Sequence, residues 1–147
     1  MNDSGLEQIF VKIKGFGHDI IIGYVYVPPY SRVEVYYIHL SAITYIKNAF
    51  ANSKLLIFGD YNICSSLPQL ECHSLLHEKY LLVGCLQHNI IRNDNGRILD
   101  LCFSDLDIID IVEKTLAIVG EDKYHPAISA QFKFYYHLNM HLKRLIM

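Results

Sequence analysis

The chain has no apolar run approaching the roughly 20 residues needed to span a bilayer, so a membrane-embedded role is not expected. Its opening, MNDSGLEQIF, lacks the basic start and long apolar stretch of a secretory leader. The expectation is an intracellular protein, nuclear or cytoplasmic, neither secreted nor held on a membrane. A surplus of positive charge is also missing: 13 Lys and Arg stand against 15 Asp and Glu, for a formal net charge of −2. Independent nucleic-acid binders usually carry a basic face. That lowers the expectation of tight DNA binding by the chain alone, although a bound cation can add charge that composition does not count. No repeat, linker or low-complexity stretch divides the sequence, which therefore reads as one domain or a piece of a larger one. Cysteines are few. Cys64, Cys72, Cys85 and Cys102 read as reduced thiols in that compartment, and Cys72, His77, Cys85 and His88 do not have the spacing of compact zinc-ligand pairs.

What is abundant is apolar side chain, 52% of residues against 19% charged, enough to bury a substantial core. Ile9, Val11 and Ile13 alternate with Lys12 and Lys14, the period of a half-exposed strand. Ile20 to Val27 is a nearly continuous β-branched and aromatic run, which suits a strand covered on both faces, and Pro28-Pro29 stops it. From Val33 to Phe50 the spacing changes: Tyr36, Leu40, Ile43, Ile46 and Phe50 mark an amphipathic helix, with Ser31 as its cap. Lys54 to Phe58 is a short apolar strand. A second helix is expected over Pro68–Tyr80, with Leu70, Leu75, Leu76 and Tyr80 inward. Asn93-Asp94-Asn95-Gly96 is a turn between Leu82–Ile91 and a strand at Ile98–Phe103. Further strands are expected near Ile108–Val112, Thr115–Val119 and Ala127–Phe134, and a helical face of Leu138, Leu142 and Leu145 in the tail. Strands interleaved with two helices imply an α/β architecture with a mixed sheet.

Four places carry chemistry. Asp60 and Asn62, in Gly59-Asp60-Tyr61-Asn62, follow a buried strand at the sheet edge where α/β proteins place their sites. The carboxylate can orient or deprotonate a water, and the amide can hold a phosphate oxygen or fix the carboxylate. The plainer alternative is an Asx-turn in which both side chains cap their own backbone. Asp100 is a lone carboxylate in the apolar run Ile98-Leu99-Asp100-Leu101, costly to bury without a partner. His125, before Pro126, could be that partner, since a carboxylate that holds an imidazole in one tautomer is a common catalytic arrangement; a turn residue is the alternative. Tyr26 in Tyr26-Val27-Pro28-Pro29 places a phenol at a strand end, where most tyrosines simply pack.

In their order (Tyr-Val-Pro-Pro, helix, strand, Gly-Asp-Tyr-Asn, then Gln87 and Asn89, Gly96-Arg97-Ile98-Leu99-Asp100-Leu101 and a final His125-Pro126) these motifs resemble the endonuclease/exonuclease/phosphatase family. The resemblance is to the endonuclease domains of non-LTR retrotransposons, which accompany a reverse transcriptase. It covers roughly Leu6 to Phe132, within a domain taken as residues 6–134 followed by a tail at 135–147. It implies the C-terminal portion of a four-layer α/β sandwich of the deoxyribonuclease-I type with mixed sheets, Mg²⁺ or Mn²⁺ as cofactor, and DNA as partner. By resemblance, Asp60 would activate water and contribute to the metal site. Asn62 would bind the phosphate and steady Asp60, Asp100 would orient His125, His125 would stabilise phosphoryl oxygens, and Tyr26 would donate to the same phosphate.

Two departures bear on activity. The family pattern ends in Ser-Asp-His, whereas Lys123-Tyr124 precede His125, leaving Asp122 as a partial substitute and a further candidate metal ligand. The family's opening strands, with the Glu that is the principal metal ligand, have no match, and Glu7 lies in a strand resembling a later one. A truncated, weakly active or inactive endonuclease is therefore expected, with the metal weakly held and part of the sheet face uncovered. A non-catalytic binding module on the same fold, and a phosphatase acting on small phosphate esters, are the alternatives.

Overall fold

In a computed structural model, residues 5–14, 18–63, 67–113, 124–134 and 141–146 are described. The chain is a mixed α/β fold. A five-stranded sheet runs in the order β1-β2-β3-β5-β4, where β1 is Glu7–Ile13, β2 Ile20–Tyr26, β3 Lys54–Asp60, β4 Leu86–Gln87 and β5 Asp100–Ser104. β2 and β3 are parallel and the other pairings antiparallel, so the sheet is mixed. The parallel pair needs a crossover, and helix α1, Val33–Ala49, supplies it. Helix α2, Leu67–Leu82, connects β3 to β4. A second, antiparallel sheet holds β6 (Ile108–Glu113), β7 (Ile128–Phe134) and β8 (His141–Ile146) in that order.

Strand alternation sorts the core into two clusters. Val25, Leu55, Ile57, Leu101 and Phe103 face the helices and pack with Tyr36, Leu40, Ile43, Leu76 and Tyr80. Ile20, Leu56, Phe58 and Cys102 face the other way and pack on Ile128, Ala130 and Phe132 of the second sheet. β3 is buried along nearly its whole length because both layers cover it. Among the described residues no helix is long and apolar enough to cross a membrane.

Several expectations are corrected. The alternation in β1 marks a strand, but its faces are inverted: Ile9, Val11 and Ile13 are 62%, 51% and 46% exposed. Gln8 reaches His39 on the helix side, and Lys12 lies over the Phe50 ring. β1 is the sheet's edge, and the core formed with the second sheet draws on β2, β3 and β5 but not on β1. Ser31 does not cap α1. Its hydroxyl donates to the Pro28 carbonyl, and the cap residue is Arg32, with no side-chain hydrogen bond. The described part of the tail is strand β8, hydrogen-bonded to β7, instead of a helix, because an open β7 edge offers ladder partners that an isolated short helix lacks. The segment Leu82–Ile91, to which the sequence assigns no element, begins as the end of α2 and contains the short strand Leu86–Gln87. The strand expected at Thr115–Val119 lies outside the described residues, as do Cys64 and Asp122.

Candidate active site

Register brings the candidate residues to one end of the five-stranded sheet. Glu7 pairs with Tyr26, Tyr26 with Asp60, and Asp60 with Asp100, a single row across four strands. Directly paired residues share a face. The face is the one away from the helices, because the alternating neighbours Val25, Tyr61 and Leu101 belong to the helix-side core and Gln8 bonds to His39. With strands about 4.8 Å apart, three carboxylates and a phenol stand in one line.

Asp60 is 5% exposed and tightly positioned. Its carbonyl accepts from Val27 N–H at 2.8 Å. The Asn62 N–H donates to Asp60 Oδ1 at 3.1 Å, and Asn62 Nδ2 donates to Asp60 Oδ2 at 2.7 Å and to the Val27 carbonyl at 3.1 Å. Asn62 adopts φ 47°, a left-handed conformation that asparagine tolerates better than most residues. The Asx-turn is therefore present, and it is also what aims the carboxylate. Both amide protons of Asn62 are engaged, so steadying Asp60 is its role in this geometry, and a phosphate oxygen would have to displace the Val27 carbonyl. Gly59 is required by close approach: a Cβ there would lie 2.6 Å from the Val25 carbonyl oxygen.

The corner is pinned from behind. Tyr36 OH donates to the Tyr61 carbonyl at 3.0 Å, and Tyr61 OH lies 3.1 Å from His39 Nε2 and 3.0 Å from Tyr80 OH. His39 Nε2 also meets Tyr80 OH at 2.7 Å, and its Nδ1 meets Gln8 Oε1 at 2.9 Å. Burial without a counter-charge lowers the His39 pKa to about 4 and raises those of Tyr61 and Tyr80.

His125 stands between the two carboxylates. Its Nδ1 is 3.1 Å from Asp100 Oδ2 and its Nε2 is 3.7 Å from Asp60 Oδ2. An Nδ1–H donated to Asp100 leaves Nε2 as the nitrogen facing Asp60. Ligand atoms of Asp60, Asp100 and His125 all lie within 4.8 Å of one another, and the group could hold a metal ion.

The structure thus gathers Asp60, Asn62, Asp100 and His125, with Tyr26 next to Asp60 in the row. Gln87 and Asn89, named in the sequence only as part of the motif order, turn out to be supports of the site. Buried Asn89 donates to the Asp100 carbonyl at 2.5 Å, and Gln87 donates to the Asn89 carbonyl at 2.6 Å. Asn93, read as a turn residue, donates from Nδ2 to the Tyr124 carbonyl at 3.2 Å, beside His125, while its Oδ1 receives the N–H groups of Asn95 and Arg97. Sequence reasoning missed Tyr24. It lies two residues before Tyr26 on the same face, and its phenol pKa is raised by burial and then by the charges of Asp100 and Asp60. The period-2 spacing from Tyr26 was the available signal. Cys85 and Cys102 are buried and free, their thiols pushed up to about 12 by burial.

Set against known proteins, the chain matches no family model, no curated protein and no solved structure.

Proposed function

We propose that the chain is a divalent-metal-dependent phosphodiesterase of the endonuclease/exonuclease/phosphatase kind, similar to a non-LTR retrotransposon endonuclease, with DNA as substrate and slow turnover. The observation that carries this reading is the His125 imidazole held between Asp100 at 3.1 Å and Asp60 at 3.7 Å. The deoxyribonuclease-I-type sandwich belongs to the same proposal, and a helix layer over a mixed sheet over a second sheet supports it.

Phosphoryl transfer asks the protein mainly for positioning and charge stabilisation. Asp60, aimed by Asn62, takes the proton of the attacking water. His125, oriented by Asp100, places Nε2 toward the phosphoryl oxygens, and the phenol of Tyr26 donates to the same group from the next strand. Mg²⁺ or Mn²⁺, held by the carboxylates of Asp60 and Asp100, would supply positive charge to those oxygens. Two carboxylates are few protein ligands for Mg²⁺, so slow turnover is expected.

The test is nicking of supercoiled plasmid with Mg²⁺ or Mn²⁺, comparing the wild type with Asp60→Asn and His125→Ala. Slow, metal-dependent nicking lost in both variants is expected. Nicking that persists in both, or that survives chelation, rejects the reading. A parallel assay on small phosphate esters identifies the substrate class.

A further inference from the structure

A second cluster of ligating side chains lies on α2, away from the row of carboxylates. His73 and His77 are four residues apart, which puts them on one helical face. Their ring centres are 4.3 Å apart and the planes are inclined by 31°. His77 packs edge-on against Phe103, with ring centres 5.6 Å apart. Its Nε2 is fully covered and has no hydrogen-bond partner. A buried polar nitrogen left unpaired costs about 1–3 kcal/mol, so the site lacks something able to engage that nitrogen.

We propose that His73 and His77 form a two-histidine site for a late first-row divalent metal of the nickel or copper kind, separate from the Asp60 group. Two imidazoles at i and i+4 on a helix can chelate one ion, and imidazole suits these metals. Affinity for a nitrogen site rises along the first row to nickel and copper, which favours these ions. The 4.3 Å separation and 31° inclination are those of rings packed on each other, so an ion enters only when one ring turns away. His73 is exposed, so moving its ring off His77 to admit an ion breaks no core contact. Burial and the neighbouring His73 lower the His77 pKa, which keeps the ring neutral and able to ligate.

The experiment is calorimetric titration of the untagged full chain with NiCl₂, in an Asp60→Asn, His125→Ala background that removes the competing carboxylate group. One bound Ni²⁺ is expected. His73→Ala, at an exposed position where the fold is not at risk, should weaken it at least tenfold, and His77→Gln should do the same. Mg²⁺ should not compete. A background protein that binds no Ni²⁺, or a His73→Ala protein that binds it as tightly, overturns the proposal and marks the ring pair as packing alone.

Discussion

His39 gives the fold a measurable sensitivity to acid. It lies on α1 with no exposed surface, bonded to Gln8 on one side and to Tyr80 and Tyr61 on the other, with no carboxylate among those partners. The unfolded chain takes up a proton on this residue near pH 6.5, and the folded chain only near pH 4. Between those values the unfolded state binds more protons, so stability falls as pH drops through that window. Above pH 6.5 no penalty applies; below pH 4 it applies in full. Each pH unit of difference is worth about 1.4 kcal/mol, which makes the total about 3 kcal/mol. That is a large share of the stability of a domain this size. The assay is urea unfolding followed by far-UV circular dichroism from about pH 7.5 to about pH 4. His39→Gln keeps a polar side chain and removes the titration. Carboxylates and the other histidines are common to both proteins, so the difference between the two pH profiles isolates His39. The wild type should lose about 3 kcal/mol more than the variant across the window. Parallel profiles would refute the reasoning.

Asp100→Asn should lower the nicking rate at least about tenfold, because it disturbs the orientation of His125 and removes a carboxylate from the metal group; an unchanged rate would show that Asp100 does neither. Gly59→Ala should cost about 2–3 kcal/mol in urea unfolding, since the new methyl meets the Val25 carbonyl oxygen at 2.6 Å and β2 must shift. Mn²⁺ at a hundredfold excess over its Kd should stabilise the wild type by about 2.7 kcal/mol. Chelation should abolish that gain, and Asp60→Asn should not show it; an equal gain in the variant would place the ion elsewhere.

The elements that were legible in the sequence are those with strong, uninterrupted periodicity. Tyr36, Leu40, Ile43 and Ile46 marked α1, and the apolar run of β3 delivered Asp60 to the sheet edge. The local corner of Asp60 and Asn62 could be read because its geometry is set within three residues. The pairing of Asp100 with His125 could be suspected only from the cost of burying a lone carboxylate, since the two lie far apart in sequence. The face of β1 was misread because alternation locates a strand but does not say which layer covers it; that depends on a second sheet formed by residues about a hundred positions later. Glu7 was noted without a place in the site for a related reason: its position in the row with Tyr26 and Asp60 is a matter of register across strands, and no local pattern encodes register. Asn93 looked like a turn residue and is one, but its amide also reaches Tyr124.

The Asx-turn at Asp60 has a consequence for mutagenesis. One oxygen of this carboxylate ties down the chain by accepting the Asn62 N–H, while the other faces His125. Alanine at this position removes an architectural hydrogen bond and a chemical group in one step, and a loss of function could be assigned to either. Asparagine can still accept the backbone N–H through its carbonyl oxygen; it gives up the charge and the hydrogen bond that Asn62 Nδ2 donates to the other oxygen, but keeps the backbone anchor. At this position the near-isosteric substitution is the more discriminating probe, and the customary truncation is the ambiguous one.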